Sequence, residues 1–162
     1  QTITDRFSKI GSEPVLEKRD IIEDTKNTVD YLQTRVSQQV VFTFKAPEHP
    51  IYVDINPALH SWTIENLVKN AIDAMKGKGS LNIIISELED IVKISITDSG
   101  KGIPKNQFTK VFEPGFTTKK RGWGLGLSLT KRIVQEYHKG KIKVAHSEIG
   151  KGTTMQISYK TA

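Results

Sequence analysis

Leu81-Asn82-Ile83-Ile84-Ile85-Ser86-Glu87-Leu88 and Ile91-Val92-Lys93-Ile94-Ser95-Ile96-Thr97-Asp98-Ser99-Gly100-Lys101-Gly102 decide the fold. Both are rich in β-branched residues and read as strands 81–88 and 91–97, joined by the acidic corner Glu89-Asp90. Alternation along the second strand puts Val92, Ile94 and Ile96 on its inner face, and the same parity turns Asp98 inward. A carboxylate that ends an apolar row is costly to bury unless donors meet it. Gly100 and Gly102, just beyond, let backbone pass close to a bound group. The plainer role for Asp98-Ser99-Gly100 is a turn whose Asp caps its own loop.

Working outward, Pro14 suits the first turn of a helix, and Ile22, Val29, Leu32 and Val36 follow at helical spacing. This predicts an amphipathic helix of about six turns. Residues 40–44 and 51–55 are β runs separated by the breaker-rich segment 46–50, and a helix follows over about 57–75. The stretch 99–123, rich in Gly, Pro and Lys, shows no clear period, and loops of that length inside a domain are usually functional. A helix is expected over about 124–138 with Gly140 as its C-terminal cap, then strands 141–147 and 153–160 around Gly150-Lys151-Gly152. Helices alternating with mostly antiparallel strands indicate an α+β, two-layer α/β sandwich, its mixed sheet covered on one face by helices.

The chain has 162 residues, with 24 Lys and Arg against 18 Asp and Glu, which gives +6. Its 36% apolar and 26% charged composition, without an apolar run of bilayer length, excludes a membrane-spanning or compositionally disordered chain. Cysteine is absent, which removes disulfides and thiolate zinc sites, and His49, His60, His138 and His146 form no metal-ligand spacing. No signal-like segment opens the chain, and Gln1 in place of Met suggests an excised fragment or processed product. The charge is unevenly spread: residues 1–50 carry 7 basic and 8 acidic, residues 51–100 carry 4 and 7, and residues 101–162 carry 13 and 3. Such a basic third suits either a polyanion or one compact anion.

On the helix expected at 57–75, Asn66, Asn70 and Asp73 share one stripe, opposite a core arc of Ile64, Leu67, Val68, Ala71 and Met75. Side-chain oxygens of this kind suit a magnesium ion that keeps most of its waters; alone, the stripe also fits a solvated face. Gly122-Trp123-Gly124-Leu125-Gly126-Leu127 opens the next helix and offers N–H groups to a phosphate. It matches neither the Rossmann fingerprint nor a P-loop, and a glycine-rich helix start also serves plain packing.

The order of these segments is distinctive. Asn66-Leu67-Val68-Lys69-Asn70-Ala71-Ile72-Asp73-Ala74-Met75 resembles an N box, Asp98-Ser99-Gly100-Lys101-Gly102-Ile103-Pro104 a G1 box, residues 111–119 (VFEPGFTTK) an F box, and residues 122–127 a G2 box. Gly150-Lys151-Gly152-Thr153-Thr154 looks like the last glycine motif. Over about residues 40–160 the chain is similar to the catalytic, ATP-binding domain of the sensor histidine kinases, within the family that includes gyrase, Hsp90 and MutL.

The resemblance implies the Bergerat-type fold and transfer of the γ-phosphoryl group of Mg-ATP to a histidine. Residues 1–11 would close the upstream dimerisation and phosphoacceptor helical domain, and residues 12–162 would be the catalytic domain. Asp98 would accept from the adenine amino group; Gly100, Gly102, Ile103 and Phe112 would shape the base pocket; Asn70 would hold magnesium with Asn66 beside it. Asp73, Thr117, Thr118, Lys119, Arg121, Gly122, Gly124, Leu125, Gly126, Leu127 and Thr153 complete the implied nucleotide contacts, with some of Lys119, Lys120 and Arg121 meeting the phosphates. The implied partners are the upstream helical domain, a response regulator and a second subunit, with no nucleic acid, membrane contact only through segments outside this chain, and a cytoplasmic catalytic domain.

Two departures from the pattern stand out. Many histidine kinases carry Lys and Tyr where this chain has Asp73 and Ala74, so a phosphate contact falls to the lid cations Lys119, Lys120 and Arg121. Gyrase-type enzymes place a water-activating Glu where Asn66 stands; here Glu65 is turned about 100° around the helix. Steady ATP hydrolysis is therefore not expected, whereas a neutral imidazole needs mainly positioning and charge neutralisation to attack phosphorus. Glu65 remains a candidate to orient the incoming histidine. Two alternatives stay open: a nucleotide-binding module that transfers nothing, and a gyrase-like clamp. No histidine of the chain lies in the family's acceptor pattern, which puts the acceptor upstream of Gln1.

Overall fold

The computed structural model describes residues 14–116 and 126–162. Strand β1 (Glu17–Asp20) leads into helix α1 (Ile21–Gln33), followed by β2 (Val40–Lys45), β3 (Tyr52–Ile55) and helix α2 (Pro57–Ala74). Strands β4 (Gly79–Leu88) and β5 (Ile91–Asp98) come next, then short 3-10 turns at Lys105–Gln107 and Lys110–Phe112. Helix α3 (Gly126–Arg132) runs on as a π segment (Ile133–Tyr137), and β6 (Lys141–Glu148) and β7 (Gly152–Lys160) close the chain.

The main sheet has five strands in the order β2-β4-β5-β7-β6, and only β2 with β4 is parallel. Its inner face carries Leu81, Ile83, Ile85, Val92, Ile94, Ile96, Met155, Ile157 and Tyr159, all buried against α1 and α2. The outer face is open, and Lys93, Lys141, Lys143 and Lys160 line a shallow groove there. The two-layer α+β expectation holds, and each run of alternation became a strand.

The start of the chain does not follow the sequence expectation. No helix begins at Pro14; residues 17–20 instead pair antiparallel with 52–55, and α1 begins at Ile21 with the Asp20 carboxylate accepting from Ile22 N at 3.0 Å. The helix has 13 residues rather than six turns, and its buried phase is Ile21, Thr25, Thr28, Val29 and Leu32, with Val36 beyond its end. Edge pairing supplies more hydrogen bonds to the charged run Glu17-Lys18-Arg19-Asp20 than a solvent-facing first turn would.

Gly140 is not the left-handed cap either. Lys139 takes that conformation at φ 57°, and Gly140 is glycine because a Cβ there would lie 2.5 Å from the Ser158 carbonyl and the Tyr159 ring.

Two histidines are buried beneath α1 and α2. His60 Nε2 shares a 2.8 Å hydrogen bond with Thr25 Oγ1, and its Nδ1 has no partner among the described residues. Burial pushes His60 down to about 3, with the neighbouring His138 adding to the effect, and pushes His138 down to about 4. Both are neutral in the fold but protonate in the unfolded chain below about pH 6.5, so stability is lost as pH falls from there towards those values. Melting temperatures recorded from pH 7 to pH 4 should therefore slope downwards, and His60→Phe should flatten the slope. An unchanged slope in that variant would assign the acid limb to other groups.

Candidate functional site

The carboxylate at the end of β5 is where alternation puts it. Asp98 is 7% exposed, and its Oδ1 accepts from Gly100 N at 2.8 Å and Thr153 N at 3.2 Å. Burial raises its pKa above the usual carboxylate value, and the two amides pull against that rise. Thr153 belongs to β7, so the last strand completes the setting of a group on β5. The Thr153 hydroxyl is 2.7 Å from Ser147 Oγ, and Ser147 Oγ in turn accepts from Ile103 N at 2.7 Å.

The loop after Asp98 is held from both sides. Lys101 N donates to the Ala74 carbonyl at the end of α2, and the Lys101 carbonyl accepts from Gly150 N. A Cβ on Gly100 would lie 2.6 Å from the Ala74 carbonyl oxygen. Gly102, at φ 81°, sits where a Cβ would collide with the Glu148 carbonyl. The glycines of this loop are thus required by close approach to α2 and to the β6–β7 turn.

Helix α2 presents the amide stripe. Asn56 caps its N-terminus and Pro57 takes the first turn, while Ile64, Leu67, Val68 and Ala71 are buried against the sheet. Asn66 and Asn70 are half-buried and Asp73 is exposed. Asn66 Nδ2 donates to Thr130 Oγ1 at 2.8 Å, and Thr130 Oγ1 donates to the Gly126 carbonyl at 2.7 Å. A Cβ on Gly126 would come within 3.0 Å of Asn66 Oδ1. Asn66 therefore ties α2 to the start of α3, a link the sequence pattern did not reveal because Thr130 belongs to no recognised motif. Glu65 forms a 2.9 Å ion pair with Lys69 one turn on.

Phe112 is buried in the core with the Lys131 ammonium 5.7 Å from its ring, and Ile103 and Leu127 are half-buried against the same core. Thr117, Thr118, Lys119, Lys120, Arg121, Gly122, Trp123, Gly124 and Leu125 lie outside the described residues. Among the described residues, three or more His, Cys, Asp or Glu nowhere gather into a potential metal cage.

The loop after β5 thus meets the C-terminus of α2 at Ala74, and the middle of α2 meets the N-terminus of α3 through Asn66, Thr130 and Gly126. Residues 58–162 match the family described as Histidine kinase-, DNA gyrase B-, and HSP90-like ATPase. The chain belongs to this family. It is similar to the sensor histidine kinase ZraS of Escherichia coli K12, 40% identical over 121 residues that make up 75% of this chain and 26% of that protein. Sporulation kinase A of Bacillus subtilis is 44% identical over 95 residues, 58% of this chain and 15% of the relative. The chain spans about a quarter or less of these curated relatives. Among solved structures, the nucleotide-free catalytic domain of histidine kinase ThkA superposes with a TM-score of 0.80 at 26% identity, covering 90% of this chain and 95% of that one. As a member of this ATPase family, the chain has the fold of the ThkA histidine kinase catalytic domain. No helix among its described residues is long and apolar enough to cross a membrane.

Proposed function

We propose that this domain binds Mg-ATP and passes the γ-phosphoryl group to a histidine on an upstream helical domain, for relay to a response regulator. The observation that carries the reading is Asp98, a buried carboxylate whose Oδ1 is fixed by two amides, leaving Oδ2 to accept from the adenine amino group. In the step itself an imidazole nitrogen attacks the γ-phosphorus, the bond to the bridging oxygen breaks and ADP departs.

The donor set suits magnesium held with the nucleotide rather than by the protein alone. A half-buried amide, Asn70, stands on the site stripe, and no carboxylate cage exists among the described residues. The ion would neutralise phosphate charge. Thr117, Thr118, Lys119, Lys120 and Arg121, with Gly122, Gly124 and Leu125, would close over the triphosphate. Asp73 and Glu65 flank the approach on α2. Residues 1–11 would be the end of the upstream helical domain, which pairs two subunits, and the domain would work in the cytoplasm.

The test supplies the upstream histidine-bearing segment and labelled ATP. Acid-labile, alkali-stable phosphoprotein is expected, reduced at least 100-fold in Asn70→Ala, a loss of the size that removing one transition-state ligand causes. No label with a competent acceptor would leave a nucleotide-binding module without transfer. Steady ATP turnover without label would indicate a hydrolytic clamp.

A further inference from the structure

Asn56 stands at the opposite end of α2 from the nucleotide stripe, and it joins three parts of the chain. Its Oδ1 accepts from Leu59 N at 3.0 Å, which is the helix cap. Its Nδ2 donates to the Val15 carbonyl at 3.1 Å, and its own N–H donates to His138 Nε2 at 3.1 Å.

Each contact ends on a different element. Val15 belongs to the segment that enters the domain ahead of β1, and its side chain is 77% exposed, so the main chain rather than burial holds it there. His138 closes the π segment that continues α3, and π turns tend to occur where a helix is re-phased for a specific purpose. Because His138 Nε2 accepts, its proton sits on Nδ1, which faces the Tyr159 hydroxyl at 3.5 Å. Ten residues further along α2, about 15 Å at 1.5 Å per residue, Asn66 binds Thr130 of α3. The two helices are therefore tied together at two levels, at the N-terminus and at the middle of α2, and the tie at the N-terminus includes the incoming chain.

We propose that Asn56 is a positioning residue that latches the segment entering the domain onto α2 and the end of α3, so that the upstream chain sets the geometry of phosphoryl transfer. This rests on the function proposed above. The choice of asparagine is informative. Aspartate caps a helix equally well, but a carboxylate cannot donate to the Val15 carbonyl.

Asn56→Asp keeps a cap and has no side-chain donor, and Asn56→Ser keeps a cap but replaces the Nδ2 amide with a single hydroxyl one bond closer to the backbone. In the 162-residue chain each should lower the melting temperature by no more than about 4 °C and leave the affinity for a non-hydrolysable ATP analogue within twofold of the original. Amide exchange over residues 15–20 should accelerate roughly fivefold, the weight of one net hydrogen bond. In the intact protein, kcat for histidine phosphorylation should fall by a similar factor with KM for ATP unchanged.

Unaltered exchange at residues 15–20 would overturn the latch, as would faster exchange with an unaltered kcat. Loss of nucleotide affinity in either variant would make Asn56 a scaffold of the site instead. An effect confined to the Asp variant would trace to its charge and likewise overturn the latch. Failure of the unaltered chain to bind the analogue would refute the functional reading, while the exchange result would still decide whether the latch exists.

Discussion

Asp98→Asn should lower the affinity for ATP by roughly 30- to 100-fold while the domain stays folded, the loss expected when a charged hydrogen bond gives way to two facing donors. The amide oxygen of the new side chain can still accept from Gly100 N and Thr153 N, so the loop keeps its anchor. The –NH2 group then stands where the second carboxylate oxygen was, against the adenine amino group. A purine with a carbonyl at that ring position would accept from the new donor, so GTP or ITP should gain relative to ATP. Titration calorimetry with the three nucleotides checks this, alongside circular dichroism for folding. Equal ATP affinity in the variant and the original would remove Asp98 from the base pocket.

Gly152→Ala should have the largest effect on stability, about 3 kcal/mol or more, from a forced backbone shift added to a left-handed strain. Gly152 has φ 127°, and a Cβ there would collide with the Asp98 carbonyl where β7 begins beside the end of β5. For a chain of this size that is about 10 °C in melting temperature. Gly150→Ala is the matched control: φ is 82° but nothing lies within 4 Å of the added carbon, so only the conformational strain of about 1–2 kcal/mol applies. The ratio of the two effects is diagnostic. Equal losses would mean that the neighbouring strand does not constrain Gly152.

The strands and α2 were legible because their periods are set by burial on one face: Val92, Ile94 and Ile96 inward, Ile64, Leu67 and Val68 against the sheet. Asp98 was legible for the same reason, since a period of two that places three aliphatic residues also places the carboxylate. Local pattern failed where a distant partner decides. Glu17-Lys18-Arg19-Asp20 has no strand composition and becomes β1 through pairing with residues 52–55. Pro14 gave a helix-start signal seven residues early because the true cap, Asp20, lies inside a charged run with several candidate caps. Gly140 carried a capping signal and serves packing, while Lys139 bears the left-handed strain. Thr130 and His138 are tied to α2 through bonds to Asn66 and Asn56, 64 and 82 residues away, which no single-sequence period encodes.

The placement of β7 between β5 and β6 bears on how the domain comes into being. The interior strands β5 and β7 are paired in the sheet but separated in the chain by more than fifty residues that include α3. Their pairing is a long loop closure, which slows folding and comes late. During synthesis, Asp98 emerges well before Thr153, whose amide orients it. A growing chain that has already displayed the amide stripe and the loop glycines therefore lacks the second amide that fixes Asp98 until its last strand arrives. The function proposed above then requires a completed sheet, and a chain truncated before β7 should be inert towards ATP.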